Sequence, residues 1–181
     1  FGVSPDIMTV AKQLSSGYAP IAAALASEKI SEGFRGDASK ALVGGSTWGA
    51  HPVSCAVALA NLDIIADEGL VENSERTGAY IASQLEELQK RHSTIVSDTR
   101  GIGLMQIVDL KRNVEAGEEF GLDDEIGKVV SQAMRDNGLL ARGGASIQIA
   151  PPLVTNREEA DEIVDSLDQV LDTVESTYGI G

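Results

Sequence analysis

A single cysteine, Cys55, leaves the chain without an internal disulfide, so the fold rests on packing and nothing requires an oxidising compartment. Basic residues are scarce: 14 Lys and Arg stand against 28 Asp and Glu, a formal charge of −14. Such a surface argues against nucleic acid as a partner, because phosphate backbones need a basic footprint. Apolar runs are all too short to cross a bilayer and no signal peptide is visible, so a cytoplasmic protein with no membrane partner is expected. There is no internal repeat, no low-complexity segment and no assignable metal site. Aromatics make up only 4% of the 181 residues, yet 43% are hydrophobic. That content suffices for one sizeable core or two small ones.

The stretch Pro5 to Ala26 organises the rest. An apolar run from Ile7 to Ala11 reads as a short buried strand ending at Lys12, before a Ser15-Ser16-Gly17 turn and a second apolar run. A lysine so placed is a candidate for desolvation and a lowered pKa, hence a nucleophile toward carbonyls. It reads also as a surface lysine flanking a strand.

Further along, Ile21 to Ser27 is expected as a strand, Glu28 to Phe34 as a short helix and 37–45 as loop. Gly44 to Thr47 leads through Trp48, Gly49, Ala50 and His51 to Pro52, which suits the first position of a long helix. A hydroxyl- and glycine-bearing loop there reads equally as an anion site or as a simple cap. The helix, Val53 to Ile65, is apolar on nearly every face, which predicts burial on both sides, with Cys55 as a small buried residue. After a break at Gly69, a helix over 70–91 carries Ile81, Leu85 and Leu88 on one stripe. Its Glu86–Lys90 and Glu87–Arg91 pairs have solvated-face spacing, and His92 is expected as a surface residue at its end. Leu104 to Leu110 predicts a strand. The preceding Gly101-Ile102-Gly103 lacks the third glycine of a dinucleotide fingerprint. An amphipathic helix is expected over 123–137, short strands over 139–141 and 147–149 around Arg142-Gly143-Gly144, and a capping box at Thr155 to Glu158 ahead of the last helix.

Three segments carry a resemblance: TVAKQLSSGYAPIAA (9–23), STWGAHPVSCAVALANLDII (46–65) and ARGGASIQIAPPLVT (141–155). In this order they resemble class III (omega-type) aminotransferases, enzymes of the fold-type I pyridoxal phosphate group, over nearly the whole chain. The resemblance implies an α/β fold with an α+β portion: 1–69 the C-terminal part of the cofactor-binding large domain, 70–181 the small C-terminal domain. A chain that opens in what reads as an interior strand is then expected to be a fragment, inactive alone, of a homodimer or higher homo-oligomer.

It also implies pyridoxal 5'-phosphate as cofactor, held covalently by Lys12, which would serve as the catalytic acid–base as well. Thr47 would contact the cofactor phosphate of the neighbouring subunit. The family often has an aromatic residue, Ser and Gly between that threonine and His-Pro, where this chain has Trp48, Gly49 and Ala50. Arg142 matches an arginine that grips a substrate carboxylate, a role suited to its planar fork of donors; alternatively it is a solvated loop residue. Trp48 lines the pocket or packs at an interface. The acid facing the cofactor's ring nitrogen has no counterpart here. The implied reaction is transamination between an amine or ω-amino acid and a keto acid such as pyruvate. An aminomutase of the same fold and a non-catalytic assembly module are the alternatives.

Overall fold

The computed structural model describes residues 2–180. The chain divides into two compact units, Phe1–Glu68 and Gly69–Gly181.

In the first unit, β1 (Ile7–Ala11) and β2 (Ala22–Ala26) form a two-stranded antiparallel ribbon, with Ile7 opposite Ala26 and Ala11 opposite Ala22. A single 3-10 turn, Lys12–Ser15, follows β1. After a short helix, α1 (Glu28–Glu32), and a 3-10 turn at Ala38–Lys40 comes α2 (Pro52–Asp67). The strand expected to be buried is exposed along nearly its whole length, because a two-stranded ribbon has no second layer within this unit. The same holds for α2. Only its Ser54 and Ala58 are buried, Val53, Leu59 and Ile64 are exposed, and Cys55 is half-buried rather than enclosed.

In the second unit, α3 (Leu70–Arg91), α4 (Ile126–Asp136) and α5 (Arg157–Tyr178) surround a three-stranded antiparallel sheet ordered β3 (Val96–Ile102), β4 (Met105–Leu110), β5 (Ser146–Ile149). Alternation puts Gln106, Val108 and Leu110 of β4 on the buried face, opposite Ile147 and Ile149 of β5. Against that face lie Ile81, Leu85 and Leu88 of α3, and the stripe Ala160, Val164, Leu167, Val170, Leu171 and Val174 of α5 closes the core. Helix α3 approaches the β3–β4 turn backbone to backbone. A Cβ on Gly78 would lie 2.1 Å from the carbonyl of Gly103, so no larger residue fits there.

Several expectations change. Val96–Ile102 is a strand that the polar sequence concealed, and 139–141 is none: only Arg142 bridges to Gln148. Asp123 and Asp124 fall in a separate 3-10 turn, and Glu125, at φ 51, starts α4. The last helix is capped one residue later than expected, by Asn156 with Glu159 at the third position. Arg91 pairs with Asp168 at 3.0 Å rather than with Glu87, which takes Lys90 at 2.6 Å. His92 is not a surface residue. It is 4% exposed, its Nε2 lies 2.7 Å from Asp168 Oδ1, and its Nδ1 lies 2.9 Å from Glu175 Oε2. Both carboxylates sit on one face of α5, two turns apart, and only a ring protonated at both nitrogens donates to both.

Candidate active site

Lys12 stands where β1 ends, with its backbone in the left-handed region at φ 53. For a residue with a Cβ this conformation costs about 1 kcal/mol or more, so its surroundings have to hold it. The loop after it is tied down. Ser15 is buried and its Oγ donates to Ala19 O at 2.6 Å. Ser16, itself at φ 49, donates through Oγ to Asn61 Oδ1 at 2.5 Å. Asn61 Nδ2 donates in turn to Gln13 O at 2.7 Å. The Lys12 side chain is exposed in this unit, not desolvated as its place after an apolar run suggested, because the ribbon on which it sits is uncovered.

Thr47 lies in an exposed turn before α2. Gly49 N donates to Ser46 O at 2.9 Å and Trp48 N to Ser46 Oγ at 3.3 Å. Ala50 is at φ 54. Of the two readings of this loop, the cap is visible: His51 Nδ1 accepts from Ser54 N at 3.4 Å, and its ring meets that of Trp48, which is 74% exposed, in a tilted contact with centroids 5.4 Å apart. An open cleft of about 780 Å³ is lined here by Pro20, Ala22, Trp48, His51 and Cys55. Asn61, which grips the Lys12 loop, lies about 14 Å along α2 from Pro52, at 1.5 Å per residue. The Lys12 loop is thus tied to the body of α2, whereas Thr47 precedes its first turn.

Arg142 belongs to the other unit. It is exposed, and its carbonyl accepts from Gln148 N at 3.0 Å. The next residue is wedged on α4: a Cβ on Gly143 would lie 2.7 Å from Val130 Cγ1 and 2.3 Å from Met134 Cε. The backbone under Arg142 is therefore fixed while its guanidinium is free to turn. Among the described residues, neither Lys12 nor Arg142 has a carboxylate within 4.0 Å. No helix of the described residues is long and apolar enough to cross a membrane.

Asn61 escaped the sequence reading. Its signal is a lone carboxamide inside an apolar helical run, three residues after Ala58 on the covered side of α2.

The residues that would hold pyridoxal phosphate are present in part. Lys12 offers an accessible primary amine on a braced backbone, and the turn before α2 offers a hydroxyl, which suit the aldehyde and the phosphate.

A family model described as aminotransferase class-III matches residues 1–171. An uncharacterized aminotransferase of Sinorhizobium fredii is 39% identical over 169 residues, 91% of this chain and 36% of its own length. The crystal structure of a thermostable (S)-enantioselective omega-transaminase from Thermomicrobium roseum superposes with a TM-score of 0.90 at 37% identity, over 96% of this chain and 38% of that one. The omega-transaminase of Pseudomonas jessenii in complex with PMP gives 0.91 at 34% identity, over 100% and 40%. The chain thus spans well under half the length of the proteins it matches, and its mixed α/β architecture is part of a fold-type I transferase fold. From the lysine loop to the last helix, this chain belongs to the class III aminotransferases.

Proposed function

We propose that the chain contributes to pyridoxal 5'-phosphate-dependent transamination, moving an amino group between an amine or ω-amino acid and a keto acid such as pyruvate. The observation that carries this reading is Lys12 itself: a family lysine at a strand end, held in a left-handed backbone by a dedicated loop. Strain of that kind is found where function demands a geometry that packing alone would not choose.

When bound, the cofactor supplies the electron sink that stabilises a carbanion at the substrate carbon. Lys12 Nζ would hold the cofactor and, once released by the substrate amine, take the proton from the substrate α-carbon as general base. Thr47 would offer its hydroxyl and backbone to the phosphate of a neighbouring subunit's cofactor, a role that needs no proximity to Lys12 of its own chain. Arg142 would grip the acceptor's carboxylate bidentately, its stem fixed by the tight seat of Gly143. In this reading 1–69 is part of the cofactor-binding domain and 70–181 the small domain of a homodimer. The exposed apolar faces of β1, β2 and α2 are then covered by the rest of that domain and by the partner, as their exposure to water would otherwise be unusual.

The test is amine-to-pyruvate exchange in the holoenzyme. Lys12→Ala should lower the rate by about 10³-fold or more, the scale of losing a positioned base. Arg142→Ala should raise KM for pyruvate far more than for a carboxylate-free aldehyde, about 30-fold or more for a bidentate charged contact. Full exchange by Lys12→Ala overturns the reading.

A further inference from the structure

The turn after Lys12 has an anchor that none of the roles above includes. Lys12 at φ 53 and Ser16 at φ 49 bracket the single 3-10 turn Lys12–Ser15, two left-handed residues that are not glycine within five positions. Such a pair persists only where neighbours over-determine it. One side chain meets both ends of that requirement. Asn61 Nδ2 donates to Gln13 O at 2.7 Å, a carbonyl that also accepts from Ser16 N at 3.2 Å, and reaches Leu14 O at 3.4 Å. Its Oδ1 accepts from Ser16 Oγ at 2.5 Å, and Gln13 Nε2 braces the same hydroxyl at 3.1 Å.

The chemistry is specific to a carboxamide. Within one plane the site needs a donor toward the carbonyls and an acceptor toward the hydroxyl, and Asn supplies both from one short, stiff side chain. An aspartate would keep the acceptor but turn a carboxylate oxygen on Gln13 O. An alanine would keep neither. Asn61 is half-buried on the side of α2 where Ser54 and Ala58 are buried, so the frame of reference for the turn is a four-turn helix and not another loop.

We propose that Asn61 is a positioning residue that fixes the direction in which Lys12 presents its amine, by clamping the turn that follows it. The proposal rests on the reading of Lys12 as the cofactor lysine. It places the effect on how readily Nζ meets the aldehyde rather than on how tightly the phosphate is held.

Lys29 and Lys40 lie in the same unit, both exposed, and provide internal references. Protein incubated with pyridoxal 5'-phosphate is reduced with borohydride and digested, and the pyridoxyl label on Lys12, Lys29 and Lys40 is counted by peptide mapping. Thermal melting is followed on the same samples. Asn61→Asp and Asn61→Ala should each lower the ratio of label on Lys12 to that on Lys29 by about tenfold, the scale of one broken hydrogen-bond set. Ser16→Ala, which removes only the hydroxyl, should lower it by about threefold. Label on Lys29 and Lys40 should not move. A merely structural role would shift the melt and leave the ratio alone, and that result overturns the proposal. If Asn61→Ala does not fold, Asn61→Asp and Ser16→Ala decide it. A wild type that labels Lys12 no more than Lys29 overturns the reading of Lys12 itself, whereas an undiminished preference for Lys12 in every folded variant overturns only the role of Asn61.

Discussion

Up to Glu68 the chain leaves Val53, Leu59 and Ile64 facing outward, whereas from Gly69 onward Ile81, Leu85 and Leu88 are sealed at 0% exposure. The first unit is the more apolar of the two in sequence, so hydrophobic content does not explain why only the second is sealed. Periodicity does. In α3 and α5 the apolar residues recur at three and four and leave a polar face, so one neighbour on one side suffices to bury them. In α2 they run all round, and a single ribbon of two strands can cover only one side. Each unit nevertheless uses an asparagine in the same way. Asn61 grips the carbonyls of Gln13 and Leu14, and Asn73 donates to Leu153 O at 2.7 Å and Thr155 O at 3.0 Å. Where a helix must fix a loop, a carboxamide does so irrespective of how much core lies beneath.

The sharpest test of this contrast is a matched pair of truncations. Leu85→Ala empties a sealed site and should cost about 3 kcal/mol, transfer and cavity together. Leu59→Ala, on the outward face of α2, should change stability by less than about 0.5 kcal/mol in this chain. Denaturant melts give both values, and amide exchange assigns each loss to its unit. Equal losses would mean that α2 is packed in solution against something its own unit does not provide.

That pair also marks how far the sequence could be read. Helices α3, α4 and α5, strand β4 and the core stripe were legible because one-sided patterning encodes a single buried face. Strand β3 was not, since Ser97, Asp98, Thr99 and Arg100 carry no apolar alternation, and the strand exists through its pairing with β4. His92 was misjudged for a related reason. Its burial depends on Asp168 and Glu175, more than seventy residues away, whose spacing on α5 has meaning only once α3 lies alongside. Lys12, Thr47 and Arg142 could be nominated from motifs. The left-handed backbone of Lys12 and its clamp by Asn61 could not, because nothing in a lysine signals a positive φ.

A smaller effect probes the first unit from the backbone. Ala50 occupies φ 54 in the turn between Thr47 and α2, a place where a Cβ is a liability. Ala50→Gly should relieve about 1 kcal/mol of left-handed strain and give back part of it through the looser unfolded chain, for a net gain of about 0.5 kcal/mol. Ala50→Val should move the other way by more than about 1 kcal/mol, since a β-branched residue is still less tolerant of this region. The two melts should bracket the parent. A loss with glycine would show that the turn takes another conformation in solution.

The smallest effect belongs to the second unit and to acid. Burial pushes the Asp168 carboxyl up, but hydrogen bonds from His92 and Arg91, together with their charges, outweigh it and hold the group below its ordinary range. A carboxyl held below its unfolded value of about 3.9 binds fewer protons folded than unfolded. Its contribution is therefore complete above that pH and is lost as pH falls through the folded value. Asp168 is partly exposed, so solvent screens the pair, and the contribution should stay under about 1 kcal/mol. Thermal melts of the parent at about pH 6 and about pH 3 should show the second unit weakening, and Asp168→Asn should weaken less over the same interval because it has no such proton to take up. An identical pH slope in the two proteins would mean that the clamp of α3 on α5 is carried by His92 and Glu175 without Asp168.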